Sequence, residues 1–110
     1  MKPTKLKGLV EIALGESVYP VSEISKYISK LRAGSFSIKK IKSYLQENDD
    51  LVVDFERLGI NVSGRQANII YVSGSDLDRL LLGLGANLTR EQFVEEAEKQ
   101  EQISRYGRFS

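Results

Sequence analysis

The 110-residue sequence contains no cysteine and no histidine. The chain therefore cannot form disulfides, and it offers no thiol nucleophile, no Cys/His zinc site and no imidazole as a general base. Its acidic residues do not have the spacing of a calcium loop, and no glycine-rich loop ends in Gly-Lys to hold phosphates. The sequence predicts no catalytic residues, no metal site and no cofactor, which favours a binding protein over an enzyme.

Long apolar runs are also missing. No stretch approaches the roughly 20 apolar residues that cross a bilayer, and residues 1–5 lack the apolar segment of a signal peptide. A chain of this length with 41% hydrophobic residues can bury one compact core, but not two. We therefore expect a soluble, cytoplasmic protein without membrane contact.

The net charge of +1 conceals an uneven distribution of charge along the chain. Residues 22–46 contain six basic residues and one acid, Glu23, which is a net charge of +5. Acids dominate two other stretches: residues 47–56 hold five acids and no base, and residues 91–101 hold five glutamates and Lys99. One block of the chain is strongly basic, and this favours a polyanionic partner.

Apolar periodicity predicts three short helices in the first half of the chain. The first covers residues 4–14, and an extended segment with Pro20 follows it. The second begins after Ser22 as its N-cap and stops near Ala33-Gly34, and the third begins after Ser37 as its N-cap and runs to about Glu47. The expected core residues are Leu6, Leu9, Val10, Ala13 and Leu14, then Ile24, Ile28 and Leu31, then Ile38, Ile41 and Leu45.

The second half of the chain changes its pattern. Residues 51–56 and 67–72 are rich in β-branched and aromatic side chains and predict two strands of a hairpin with a long tip, residues 57–66. Ser75 is the expected N-cap of a short helix over residues 76–82, which Gly83 and Gly85 end. Thr89 and Gln92 have the spacing of a capping box for a last helix, residues 90–104.

This order of elements resembles the winged helix-turn-helix superfamily over about residues 5–82. The resemblance implies an α+β fold: a three-helix winged helix-turn-helix with a two-stranded β-hairpin wing and one or two C-terminal helices. It makes residues 21–31 the supporting helix, 37–47 the recognition helix and 57–66 the wing.

The passage Gly64-Arg65-Gln66, followed by a strand and Ser73-Gly74, is similar to the step from wing to last helix in many bacterial and phage regulators. The turn, residues 32–36, is longer than the roughly 3 to 4 residues of a tight helix-turn-helix. We divide the chain into a winged-helix domain, residues 1–86, and an acidic helix with a loose tail, residues 87–110.

For function, the resemblance implies a regulator or architectural protein that binds double-stranded DNA. The third helix would enter the major groove, and the wing would contact the backbone or minor groove. Lysine contacts phosphates or guanine, and serine and glutamine can contact base edges. The expected DNA-binding residues are Lys26, Lys30, Arg32, Ser37, Lys39, Lys40, Lys42, Ser43, Gln46, Arg65 and Gln66.

Other hypotheses stay open beside DNA binding. Winged-helix domains also serve as adaptors, so a phage-type protein of this kind could bind a host polymerase or nuclease through its acidic last helix. A homodimer could form through the first and last helices. A small enzyme is the third hypothesis, but no nucleophile and base support it. The residues do not distinguish DNA from RNA, or repression from activation or packaging.

Overall fold

Over residues 3–31 and 36–106, the part of the chain that the computed structural model describes, the protein forms five α-helices and a two-stranded antiparallel sheet. Side chains are described for residues 6–31 and 36–100. The helices and strands are α1 (Pro3–Leu14), β1 (Val18–Pro20), α2 (Val21–Leu31), α3 (Ile38–Glu47), β2 (Tyr71–Ser73), α4 (Leu77–Leu84) and α5 (Arg90–Tyr106). The expected α+β class is confirmed.

Local capping signals set several helix ends as predicted. α1 ends directly before Gly15. Ser37 caps α3, because its hydroxyl accepts a hydrogen bond from the backbone N–H of Lys40 at 3.2 Å. At α5 the capping box is complete: Gln92 Oε1 accepts from the N–H of Thr89 at 3.0 Å, and Thr89 Oγ1 accepts from the N–H of Gln92 at 3.1 Å. Short-range hydrogen bonds therefore define where α3 and α5 begin.

The predicted N-cap of α2 is wrong. The helix begins at Val21, so Ser22 lies inside its first turn. The backbone N–H of Val21 donates to the carbonyl of Ile70 at 3.0 Å, and this long-range bond satisfies one of the N–H groups that the start of a helix leaves without an intrahelical partner. α2 is described to Leu31, and the predicted stop near Gly34 lies outside the described residues.

The predicted N-cap of α4 is also wrong. Gly74–Asp76 form a 3₁₀ turn, and α4 begins only at Leu77. The N–H of Ser75 donates to Glu16 Oε1 at 2.9 Å, across a large distance in sequence. Local spacing of polar residues cannot reveal such a partner.

The predicted β-hairpin is wrong as well. In the sheet β2 pairs with β1, with Val18 opposite Ser73 in the register, and residues 51–56 do not form a strand. The predicted first strand is reduced to one isolated bridge between Val52 and Val72. The predicted second strand, residues 67–72, is shortened, because residues Gly64–Asn68 form a 3₁₀ helix before β2.

Asp54 explains why the first predicted strand stops so early. Its Oδ1 accepts hydrogen bonds from the backbone N–H groups of Glu56 and Arg57, at 3.1 and 3.3 Å. These bonds turn the backbone where a second strand residue would have paired. The carbonyl of Phe55 then accepts from the N–H of Ile60 at 2.9 Å, which closes the turn. A short side chain thus competes successfully with the sheet for the backbone donors.

Two apolar clusters hold the fold. The larger one joins α2, α3, α4 and α5, and the smaller one joins α1 to the sheet through Leu6, Val10, Val18 and Tyr71. Residues 54–70, which we call the long loop, place five apolar side chains on the smaller cluster: Phe55, Leu58, Ile60, Val62 and Ile69. The predicted wing is therefore a folded loop whose apolar side chains pack on the domain.

Burial, with the nearby charges of Glu23 and then Glu11, raises the pKa of Tyr71 above its usual value.

Three of the expected core residues lie at the surface. Ile38, in the first turn of α3, is 42% exposed, and Leu9 and Ala13 are exposed on α1. Each extends an apolar stripe beyond the area that neighbouring elements cover. Periodicity identifies a face of a helix, but it does not show how far along that face the packing partners reach.

α5 packs its first turns against the larger cluster. Phe93 is fully buried, and Ala97 is buried one turn later. Glu96 is also a buried residue, and its Oε2 accepts a hydrogen bond from Gln100 Nε2 at 2.7 Å. None of the helices in the described ranges, α5 included, is long and apolar enough to span a membrane.

Gly83 has a different role from the predicted one. It lies inside α4, which ends at Leu84, and Gly85 takes the left-handed conformation at the C-cap with φ 70°. A Cβ atom at position 83 would overlap the ring end of Tyr44 on α3. Glycine therefore allows α3 and α4 to approach closely at this point.

We expect Gly83→Ala to lower the free energy of unfolding by about 1 to 2 kcal/mol, although alanine is the better helix former by about 1 kcal/mol. In a Tyr44→Ala background the same change should raise it by about 1 kcal/mol, because the overlap is gone and the helix preference remains. Urea unfolding of the four proteins measures the coupling between the two sites. An equal effect of Gly83→Ala in both backgrounds would show that the two residues do not touch.

Candidate nucleic-acid interface

α2 and α3 are joined into one two-helix unit by contacts around Phe36. Ser25 Oγ, on α2, donates to the carbonyl of Phe36 at 2.6 Å, directly before the N-cap of α3. The half-buried ring of Phe36 packs on the larger cluster, and Lys40 Nζ lies 4.7 Å from its centroid. Sequence reasoning did not identify Ser25 or Phe36, because their role depends on a contact between two helices.

The five described lysines of the basic block lie on this unit: Lys26 and Lys30 on α2, and Lys39, Lys40 and Lys42 on α3. We call these five residues the basic surface. All five side chains are exposed. Within the described ranges none of them forms an ion pair. Arg32, predicted to belong with them, lies outside the described residues.

The one acid of the basic block is engaged elsewhere. Glu23 accepts a hydrogen bond from the hydroxyl of Tyr27 at 3.0 Å and pairs with Lys7 of α1 at 3.8 Å. Its charge is therefore balanced on the side of α2 that faces α1. The positive charge of the basic surface is left without a matching carboxylate among the described residues.

The predicted polar residues of α3 surround these lysines. Ser43 and Gln46 are exposed, and Ser37 is exposed while its hydroxyl caps the helix. Ile41 and Leu45 fill the opposite side of α3 and are buried in the larger cluster. The arrangement places donors and acceptors between the cationic side chains, which suits contact with a polar, negatively charged surface.

Arg65 and Gln66 are not at the tip of a β-hairpin. They lie on the 3₁₀ helix Gly64–Asn68, where Arg65 is exposed and Gln66 is half-buried. A groove separates this loop from α3: Lys42 and Gln46 line one side, and Ala67 belongs to the loop side. The structure thus brings the α2 and α3 residues together and leaves the predicted wing residues across a groove.

Charge reverses along α3. Glu47 is its last residue, Asp49 and Asp50 follow soon after, and all three acids are exposed. Asp50 is paired with Arg79 of α4 at 2.7 Å, and this hydrogen bond raises the pKa of Arg79. A polyanion would therefore meet attraction at α2 and the first turns of α3, and repulsion beyond its C-terminal end.

In the part of the chain that the structure describes, no three acidic side chains lie close enough together to hold a metal ion. No protein-family model, curated protein or solved structure matches this chain. The geometry and charge of the basic surface are therefore the basis for assigning a function.

Proposed function

We propose that the protein binds double-stranded DNA through α2 and α3, and that it acts by binding rather than by catalysis. The observation that carries the proposal is the basic surface: five exposed lysines on one two-helix unit, without an ion pair to any described residue. An isolated exposed lysine is ordinary, but a block without acidic partners repels itself and gains by binding a polyanion.

In this proposal the first turns of α3 enter the major groove. Lys39 and Lys40 contact phosphates or guanine edges, and Ser43 contacts base edges. The acidic end of α3 points away from the duplex, since Glu47 and Asp49 would be repelled by phosphates. Lys26 and Lys30 contact the flanking backbone.

The order of the elements supports a winged-helix fold in which the wing is reduced. The elements follow one another in the order of that superfamily: a helix, a short strand, two helices, an isolated bridge, a loop and a second strand. The folded loop takes the place of the hairpin. Arg57 and Arg65 are its exposed cations, and Arg65 contacts the DNA backbone. The loop contributes less to the affinity for DNA than a full wing would, and most of that affinity comes from α2 and α3.

Fluorescence anisotropy with a random duplex of about 25 base pairs tests the proposal. If four to six cations contact phosphates, the logarithm of affinity falls with the logarithm of salt concentration with a slope of about −4 to −5. Between about 50 and 200 mM salt the affinity then drops by roughly 250- to 1,000-fold. Absence of binding at the lower salt concentration would overturn the proposal.

Removing two of the lysines should change the slope by a defined amount. We expect Lys39→Ala with Lys40→Ala to weaken duplex binding and to make the slope less steep by about 2, because two phosphate contacts are lost. The free energy of unfolding should fall by no more than about 1 kcal/mol. Lys40 is exposed, and a cation–π contact made by an exposed cation contributes about that much.

The matched control removes two positive charges from α5 instead, with Arg90→Ala and Lys99→Ala. This variant has the same net charge as the α3 variant but keeps the basic surface. It should bind the duplex with nearly the same slope as the wild type. Equal losses in both variants would mean that net charge, and not the surface on α3, determines binding.

A protein-interaction adaptor is the second candidate, and one surface favours it. A cavity of about 510 Å³ between α5 and the start of β1 is lined by Glu16, Glu91, Glu95 and Glu98, with Arg90 as the cation among them. Such a surface suits a basic protein partner. Failure to bind the duplex, together with capture of a protein that Glu91→Lys with Glu95→Lys abolishes, would favour the adaptor.

A further inference from the structure

A groove of about 760 Å³ lies between the end of α3 and the long loop. The α3 side contributes Lys42, Leu45 and Gln46. Large apolar side chains dominate the rest of the lining, among them Val52, Val53, Phe55, Ile60, Ile69 and Ile70. All six are only half-buried, although they pack against the two clusters. The groove therefore offers apolar surface that a bound side chain could remove from water.

The charges of the groove differ from those of the basic surface. Asp49, Asp54 and Glu56 line it and are exposed, and Lys42 is the cation among the lining residues. None of the three acids forms an ion pair with a described residue. Asp54 uses one oxygen for backbone N–H groups but keeps its charge. Phosphates would be repelled here, so the groove is unsuited to the duplex that we assign to α2 and the start of α3.

We propose that this groove binds a segment of a partner protein in which large apolar side chains alternate with lysine or arginine. The apolar lining accepts the apolar side chains, and the three carboxylates accept the cations. The carboxylates come from three different places: the 3₁₀ turn after α3, the extended segment and the turn that follows it. Several cations at separate positions are needed to match them, and a peptide supplies these more readily than a small molecule with one charge. The proposal concerns a second partner and does not depend on DNA binding.

The test measures binding of short fluorescein-labelled peptides to the full chain by anisotropy. In the first peptide lysine alternates with leucine, in the second glutamate alternates with leucine, and in the third lysine alternates with serine. We expect only the first to bind. Comparable binding of the lysine–serine peptide would show charge attraction without use of the groove, and binding of the glutamate–leucine peptide would contradict the charge assignment.

Variants locate the binding on the protein. Asp49→Lys with Glu56→Lys should weaken binding of the lysine–leucine peptide by about tenfold or more, as expected for two reversed rim charges. The matched control, Glu47→Lys with Asp78→Lys, makes the same change in net charge at two exposed positions that do not line the groove, and it should bind like the wild type. Equal losses in the two variants would overturn the proposal. Asp49→Asn with Glu56→Gln, which removes the charges without reversing them, gives a second measurement if the reversed variant does not fold.

Duplex binding separates the two proposals. Asp49→Lys with Glu56→Lys should bind duplex at least as tightly as the wild type, since it removes repulsion near α3. Sedimentation of the free protein completes the test: self-association that this variant abolishes would mean that a second copy occupies the groove, and would overturn the assignment to a different partner.

Discussion

Phe93→Ala is expected to lower the free energy of unfolding by about 3 to 5 kcal/mol. The side chain is 0% exposed. Its ring meets those of Tyr19 and Tyr27 edge to face, with centroids 5.2 and 5.6 Å away. Truncation therefore leaves a cavity and removes two aromatic contacts. Because small domains have about 5 to 15 kcal/mol of stability in total, this one change removes a large fraction of it.

Thermal and urea unfolding measure the loss, and Val94→Ala is the matched control on the same helix. Val94 is half-buried next to the cluster, so its truncation should cost much less than that of Phe93. For a domain of this size the midpoint temperature falls by about 4 to 8 °C per kcal/mol. If Phe93→Ala melted with the wild type, α5 would not pack against the core.

Ile41→Ala is the second large effect, with an expected loss of about 2 to 5 kcal/mol. Ile41 is 0% exposed in the larger cluster, whereas Ile38, one turn earlier on α3, is 42% exposed. Both residues lose the same atoms when changed to alanine. Ile38→Ala should cost less, about 1 to 1.5 kcal/mol, since only about half of the residue's surface leaves water on folding.

Urea unfolding of the two α3 variants distinguishes the burial of their side chains. A larger loss for Ile38→Ala than for Ile41→Ala would mean that α3 faces the core with a different side. In that case Lys39 and Lys42 would lie on a different face of the domain, and the five lysines would not form the basic surface described above. The pair thus tests the geometry on which the proposed DNA contacts depend.

Helices were predictable from the sequence because their signals are local. The N-cap Ser37 and the capping box of Thr89 with Gln92 act within a few residues, and they fall where the sequence places them. The starts of α2 and α4 were not predictable, since they depend on the partners Ile70 and Glu16, which are distant in sequence.

The β-structure was harder to predict for a different reason. Alternating side chains at residues 51–56 indicate an extended segment, but only its middle part is extended, because Leu51 ends a 3₁₀ turn and Phe55 begins the next turn. They do not indicate which strand it pairs with, and Asp54 ends the segment after one bridge. The pairing of β1 with β2 could not be inferred, because β1 is only three residues long.

For the candidate site, the sequence identified the charged residues but not their arrangement. The exposure of Lys39, Lys40, Ser43 and Gln46 followed from helical periodicity. The engagement of Glu23 by Lys7 and the groove beside α3 needed the tertiary structure. A side chain's periodic position is a local property, whereas a groove depends on how separate segments pack.

The supports at the two ends of α3 have a consequence for the thermodynamics of association. Ser25 holds the residue before its N-cap at 2.6 Å, and the bridge of Val52 to Val72 holds the chain soon after its last turn. The helix is thus preorganised before any ligand arrives. Association then requires little further ordering of the backbone, and the entropy lost is mainly that of the lysine side chains and of the two molecules as wholes.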